Sequence, residues 1–295
     1  MFPDEFDYYE AGSVTEAVDL LSEHAGEETE LLAGGHSLLP AMKSGLSSPD
    51  VLIDVSGIDA LRGVTVEDGT LVVGAMTTYS DFLNVQAAHE HAPAFADAVS
   101  QVGDEQVRNR GTVGGNLAHA DPASDLPGAA LASDATIVAE GPDGERSIPA
   151  DDYFFGMYTT ALDPGEIVTR VEIPSATDAA GSYAKKPSPS SGYAMVGVAA
   201  LVETDGDTVT AARLGANGVL DHGVRLEAAE AALEGESFDD DAVEAAASVA
   251  TDGLDETMMM SDLQASAAFR ATLLEAYTKR ALAGAADRAA APAAD

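Results

Sequence analysis

The chain has 295 residues, 51 of them acidic against 14 basic, for a net charge of -37. An acid excess of this size argues against nucleic acid or an anionic membrane surface as partner, and the absence of cysteine excludes a disulfide, a thiolate metal site or an iron–sulfur cluster on this chain. The acids run through the whole sequence instead of gathering in a tail, a pattern expected of a protein adapted to high salt, where charges are strongly screened.

The start, Met1-Phe2-Pro3-Asp4, has neither the basic region nor the apolar stretch of a signal peptide, and no apolar run is long enough to span a bilayer, so a cytoplasmic protein is expected. Phe6 to Glu10 reads as a short extended entry. Ser13 is an N-cap for a helix carrying Ala17, Leu20 and Leu21 on one face. Leu31-Leu32-Ala33 is a strand that runs into the turn Gly34-Gly35-His36-Ser37, and Ser37 is expected to cap a short helix bearing Leu38, Leu39 and Met42. Val51 to Val55 is a continuous apolar run, the pattern of a strand covered on both faces. These elements form a first unit, residues 1–57.

A second unit, 58–176, opens on a hairpin, with Val64 to Val66 and Leu71 to Val73 flanking Asp68-Gly69. A helical region is expected from Ser80 to Gln101, broken near Pro93. After it come a second glycine pair in Thr112-Val113-Gly114-Gly115-Asn116, a helix near Pro127 to Ser133, a strand at Ala135 to Ala139, a turn at Pro142-Asp143-Gly144 and a strand at Glu166 to Ile173. Pro174 to Gly181 reads as a linker into a third unit, 177–285. That unit begins with strands at Tyr183 to Lys186, Tyr193 to Glu203 and Thr208 to Leu214. Helices follow near Arg225 to Glu234, Ala242 to Thr251 and Ser266 to Leu282. The Ala-rich end is expected to fray from Ala283, with 286–295 a flexible tail.

The two glycine pairs carry the chemistry. Adjacent glycines reach positive φ and allow close approach of a ligand to the backbone, and their N–H groups can converge on a phosphate. One pair alone is most simply a turn. Two such segments, each ending in a small polar residue, suit a ligand with two phosphates, such as a dinucleotide.

The segments Leu32-Ala33-Gly34-Gly35-His36-Ser37-Leu38-Leu39-Pro40 and Gln106-Val107-Arg108-Asn109-Arg110-Gly111-Thr112-Val113-Gly114-Gly115-Asn116 closely resemble the flavin subunit of the molybdenum hydroxylases, the family of aerobic carbon monoxide dehydrogenase and xanthine dehydrogenase. Asp121 to Pro127, Tyr183-Ala184-Lys185 and Asp262 to Arg270 extend the resemblance over essentially the whole chain. It implies an α+β fold: a two-part FAD-binding domain of the vanillyl-alcohol oxidase (PCMH) type, then a smaller α+β domain. It implies FAD as the cofactor, with molybdopterin and [2Fe-2S] clusters on partner chains. Those partners would be a large molybdopterin-binding subunit and a small iron–sulfur subunit, assembled as a dimer of heterotrimers.

The resemblance also marks the cofactor-binding residues: Leu32, Ala33, Gly34, Gly35, His36, Ser37 and Leu38 at the first turn, and Thr112, Val113, Gly114, Gly115 and Asn116 at the second. His36 acts through its backbone N–H, Asn116 by holding its turn, and Asp125 as a cap or a partner of a ribityl hydroxyl. Val102 and Val168 stand at positions expected to wall the cofactor. Lys185, one of four lysines, would place positive charge near the flavin. Tyr193 would cover one flavin face, although relatives carry arginines and an aspartate just before it where this chain has Pro189-Ser190-Ser191-Gly192. No catalytic acid–base set and no metal site is evident. An electron-transferring flavoprotein subunit is therefore expected; the alternative is a stand-alone flavin-dependent oxidase or dehydrogenase of the same fold.

Overall fold

The computed structural model describes residues 2–290, in three successive sheet units. The first contains β1 (Asp7–Glu10), α1 (Val14–Glu23), β2 (Thr29–Leu32), α2 (Leu38–Ser44) and β3 (Val51–Asp54), its three strands parallel in the order β1-β3-β2. β3 is central and buried at Val51, Leu52 and Ile53, as its uninterrupted apolar run requires. Ser13 caps α1 by accepting from the Glu16 N–H at 3.1 Å, and the Glu16 carboxylate reaches back to the Gly12 N–H at 2.8 Å.

The second unit comprises β4 (Val64–Glu67), β5 (Thr70–Gly74), α3 (Tyr79–Leu83), α4 (Gln86–His91), α5 (Pro93–Ser100), α6 (Glu105–Arg108), α7 (Val113–His119), α8 (Leu126–Ala132), β6 (Thr136–Gly141), β7 (Gly144–Pro149), β8 (Phe154–Gly156), β9 (Thr159–Thr160) and β10 (Ile167–Pro174). Its main sheet is antiparallel, ordered β4-β5-β10-β6-β7. The tip of the first hairpin has Asp68 and Gly69 at φ 48° and 81°, the turn expected from an Asp-Gly pair. The expected helix from Ser80 to Gln101 is three helices. Besides the break before Pro93, the chain leaves helical geometry at Val85, whose φ and ψ are -95° and 116°.

The third unit is the antiparallel sheet β11 (Ala179–Pro187), β12 (Ala194–Asp205), β13 (Thr208–Asn217) and β14 (Val224–Arg225), with helices α9 (Glu227–Leu233), α10 (Asp240–Ser248) and α11 (Ala267–Ala289). α11 continues through Ala289, so Ala283 to Ala289, expected to fray, are helical: Ala285 is fully buried. Residues 291–295 of the expected tail lie outside the described residues.

The sheet of the third unit is covered on both faces. α11 packs on β11 and β12 and α9 on β13, while α5 and α8 of the second unit pack against β11, β12 and β13. Alternate residues accordingly enter different cores: Val198 and Ala200 join the third unit's own core, and Tyr183 and Ala199 the central one. Glycine permits the close approach of α8. A Cβ on Gly215 of β13 would lie 2.0 Å from the Gly128 carbonyl oxygen of α8.

Candidate functional site

The first glycine segment forms the turn between β2 and α2. Gly35 has φ 73°, a conformation that strains any other residue. Gly34 is required for a different reason: a Cβ there would lie 2.2 Å from the Arg110 carbonyl oxygen and 2.9 Å from Gly111 Cα. Among the described residues the N–H groups of Gly34, Gly35, His36 and Ser37 bond to no protein acceptor. The His36 side chain is exposed, while Leu32, Ala33 and Leu38 are half-buried. Ser37 occupies the N-cap position of α2 but makes no side-chain capping bond, contrary to expectation; its own backbone is already helical. Its hydroxyl lies near the Tyr193 phenol and opposes the rise of that group.

The second glycine pair is not a turn. Gly114 and Gly115 lie in the first turn of α7, and neither has positive φ. Nor are its amides free. Val113 N–H donates to Thr77 O at 3.0 Å, Gly114 N–H to Ala75 O at 2.9 Å, and Gly115 N–H to the Thr112 hydroxyl at 3.3 Å. The expectation of two matching amide nests is therefore corrected to one. The start of α7 is tucked beneath the chain leaving β5, whose carbonyls take its first donors. The glycines serve close packing: a Cβ on Gly114 would meet Ala75 Cβ at 2.4 Å, and one on Gly115 would lie 3.1 Å from Ala33 Cβ.

The two segments nonetheless come together, Gly34 against Arg110 and Gly111, and Gly115 against Ala33. Beside this contact opens a cleft of about 240 Å³ lined by Ala33, Gly34, Arg62, Thr78, Arg110 and Thr112 among others. Arg62 is tied to Ser56 O at 2.6 Å. The exposed Arg110 guanidinium makes no hydrogen bond or close ion pair among the described residues, and its charge helps hold the Asp54 carboxyl below the usual range. Arg110 was not singled out from the sequence. Its signal was a cation directly before Gly111 in a chain with few cations.

Behind the second segment lies a buried polar chain. Asn116 Nδ2 donates to the Tyr79 hydroxyl at 2.9 Å, and Asn116 Oδ1 accepts from the Ser124 hydroxyl at 2.7 Å. Next to Ser124, Asp125 stands at the N-cap position of α8 but makes no side-chain cap. Its Oδ2 takes Lys185 Nζ at 2.8 Å and its Oδ1 the Tyr183 hydroxyl at 2.6 Å. Lys185 Nζ also donates to Gln101 O at 2.7 Å, so one ammonium proton remains unassigned. Both charged side chains are buried, at 7% and 5% exposure, which removes Lys185 from the class of surface lysines. Burial pushes the Asp125 carboxyl up, opposed by the Lys185 ammonium and the Tyr183 hydroxyl. Burial likewise raises the Tyr79 phenol.

Tyr193 is partly exposed and stands in the third unit near Ser37 of the first. Burial and the charge of Asp121 raise its phenol. The segment before it is held by Gln264, which accepts from the Ser188 hydroxyl at 2.6 Å and donates to the Ser190 hydroxyl at 3.0 Å. His119 lies against Tyr158 with ring centroids 4.9 Å apart, and burial holds its imidazole below the usual range. Val102 is half-buried, its carbonyl taking Arg108 at 3.0 Å, and Val168 is buried in the central core. Neither lines the cleft beside the first turn. No group of three metal-ligating side chains occurs among the described residues.

Free amides at a tight turn, an exposed guanidinium beside them and a buried ammonium with a spare donor suit a phosphorylated ligand with a polar far end. The comparisons agree. Residues 4–176 match the model of the FAD binding domain in molybdopterin dehydrogenase, and residues 181–285 that of the CO dehydrogenase flavoprotein C-terminal domain. The carbon monoxide dehydrogenase medium chain of Hydrogenophaga pseudoflava is 37% identical over 283 residues, 96% of this chain and 97% of that one. The glyceraldehyde dehydrogenase medium chain of Sulfolobus acidocaldarius is 34% identical, covering 95% and 98%. Among solved structures, carbon monoxide dehydrogenase from H. pseudoflava lacking the Mo-pyranopterin moiety superposes with a TM-score of 0.91 at 38% identity, covering 98% of this chain and 99% of that one.

Proposed function

The chain belongs to the FAD-binding medium subunits of the carbon monoxide and xanthine dehydrogenase family, and from that membership we propose which of its residues hold the cofactor and what it assembles with. It is an α+β flavoprotein subunit of a heteromeric molybdenum hydroxylase. Bound FAD supplies a group that accepts electrons from a partner's iron–sulfur clusters and yields them to an external acceptor. The amides of Gly34 to Ser37 hold the pyrophosphate, and Arg110 adds a countercharge from the facing segment. Thr112, Gly114, Gly115 and Asn116 shape the opposite wall. Lys185, fixed by Asp125, offers its remaining N–H to the far end of the cofactor, and Tyr193 closes over it from the third unit.

The observation that carries this assignment is the set of unbonded amides at Gly34 to Ser37, seated directly on the Arg110–Gly111 backbone. The partners are a large molybdopterin-binding chain and a small iron–sulfur chain, in a dimer of heterotrimers. Their clusters cannot reside here, because the chain has no cysteine. The acid excess reflects adaptation to high salt, so assays belong in molar KCl. The substrate is chosen on the large chain: relatives this similar are subunits of dehydrogenases as different as those named for carbon monoxide and glyceraldehyde.

Anaerobic stopped-flow of the FAD-loaded chain against carbon monoxide, aldehydes and purines is the test. Slow flavin bleaching without partner chains is expected, becoming fast in the complex from the native host. Fast bleaching of the isolated chain would establish a self-contained flavin dehydrogenase instead.

A further inference from the structure

We propose that Tyr183 and Asn217 are positioning residues that act through Asp125 to fix Lys185 toward the cofactor, so that the third unit orients a charge pair it shares with the second. This deepens the FAD assignment above and rests on it.

The antiparallel register places Lys185 of β11 opposite Gly197 of β12, and Gly197 opposite Asn217 of β13. Tyr183, two residues before Lys185, points to the same face of the sheet. The gap at Gly197 is filled by the other two side chains. A Cβ there would lie 2.0 Å from the Tyr183 hydroxyl and 2.8 Å from Asn217 Nδ2. From the other side, α8 comes close enough that a Cβ on Gly128 would be 2.7 Å from Asn217 Oδ1. Two glycines on two elements thus leave room for one phenol–amide pair beneath the N-cap residue of α8, Asp125.

The hydrogen bonds then have one direction. Asn217 Nδ2 donates to the phenol oxygen at 3.3 Å, and the single phenol proton goes to Asp125 Oδ1 at 2.6 Å. Asp125 keeps Oδ2 for Lys185 Nζ, which is held on its other side by Gln101 O. Asn217 is fully buried and Tyr183 and Asp125 nearly so. In a site this dry a carboxylate persists only if its lone pairs are satisfied. Removing the phenol proton leaves Asp125 with Lys185 alone, and burial then favours its protonated form. A protonated Asp125 no longer fixes the ammonium.

Around the carboxyl, Lys185 and Tyr183 face it from β11 and Asn217 from β13, and its charge is also felt by Tyr79 of α3 and by Tyr193 before β12. Burial and the nearby acid drive the three phenols above their usual range, so they keep their protons at neutral pH.

The experiment is FAD titration of the deflavinated full chain between pH 5.5 and 8.5 at constant ionic strength. The loss of affinity toward acid should begin at higher pH in Tyr183→Phe than in the wild type. At pH 6 the variant should be weaker by about tenfold or more, the worth of one hydrogen bond to a charged group, and at pH 8.5 it should approach the wild type. Asp125→Asn should bind weakly and without this pH dependence, and the double variant should match Asp125→Asn. Asn217→Ser, which keeps the phenol and removes its donor, should shift the acid limb in the same direction by less, and is read instead if Tyr183→Phe does not fold. A loss of equal factor at every pH, or losses that add in the double variant, would overturn the positioning role. A wild-type chain that binds no FAD sinks the cofactor assignment itself; one that binds it beside a Tyr183→Phe variant with unshifted pH dependence sinks this inference alone.

Discussion

Gly34→Ala is the sharpest single perturbation of the first turn. The new methyl would stand 2.2 Å from the Arg110 carbonyl oxygen, against an ordinary contact of about 3.4 Å, so the two segments must part by about 1.2 Å. The obstacle is backbone on both sides, so no side chain can swing away. A displacement of that size carries an amide from hydrogen-bond distance of a phosphate oxygen to beyond about 3.5 Å, where the bond is lost. If two of the four free amides lose contact, at about 1.5 kcal/mol each for bonds to a charged acceptor, FAD affinity falls roughly hundredfold. Overpacking costs the FAD-free chain about 1–3 kcal/mol. Gly26→Ala is the control, since nothing lies within 4 Å of its added Cβ. The assay is calorimetric FAD titration of the deflavinated chains, with thermal unfolding of each in the absence of FAD. A folded Gly34→Ala chain with wild-type affinity would refute the placement of the pyrophosphate at this turn. Gly114→Val offers no such test: its amide already serves Ala75 O and its Cβ would strike Ala75, so it disrupts packing whether or not a ligand binds.

Two further outcomes are expected. Lys185→Met leaves the Asp125 carboxylate buried without its cation and should cost about 3–5 kcal/mol in urea unfolding; the chain that remains folded should bind FAD with a lowered midpoint potential, and an unchanged potential would reduce Lys185 to a structural ion-pair partner. His119 has its pKa below the ordinary 6.5 because burial disfavours the imidazolium. Above pH 6.5 it is neutral in both folded and unfolded chains; as pH falls below that value the unfolded chain takes up the proton first, and stability declines until the lowered folded pKa is passed. His119→Gln should flatten this decline between pH 6.5 and 5 in thermal unfolding, and an unchanged slope would show that another group is responsible.

What was legible in the sequence was local. Ser13 caps α1, Asp68-Gly69 turns a hairpin, and the apolar run at Val51 takes the centre of a parallel sheet, because each outcome is decided within a few residues of chain. The first glycine segment was legible for the same reason. The second is a helix start and not a turn, because the Gly114 amide goes to Ala75, far back in the chain, and the Gly115 amide to the capping hydroxyl of Thr112. Asp125 reads as a cap by position alone, yet the buried ammonium of Lys185, brought in on another sheet, competes for its carboxylate and wins. Lys185 itself stood out through rarity and resemblance. Asn217 gave no sequence signal at all, since its role exists only in the register that sets it opposite Gly197.

The candidate site belongs to no single unit. The first supplies the free amides and Ser37, the second Arg110, Asn116 and Asp125, and the third Lys185 and Tyr193. The third unit is seated by glycine contacts at Gly128 and Gly215 and by the Asp125–Lys185 pair, so a shift of α8 on the sheet displaces the carboxylate from the ammonium. A cofactor held as proposed, across all three units, binds only the fully seated arrangement. By linkage it stabilises that arrangement by about 2.7 kcal/mol when present at a hundred times its dissociation constant. The FAD-free unfolding curves of the glycine variants read this coupling directly. Loss of FAD should lower the unfolding midpoint of the wild type more than that of Gly34→Ala, whose grip on the cofactor is already weak. Equal shifts in both chains would mean that the units are seated independently of the cofactor, by their glycine contacts and the shared ion pair.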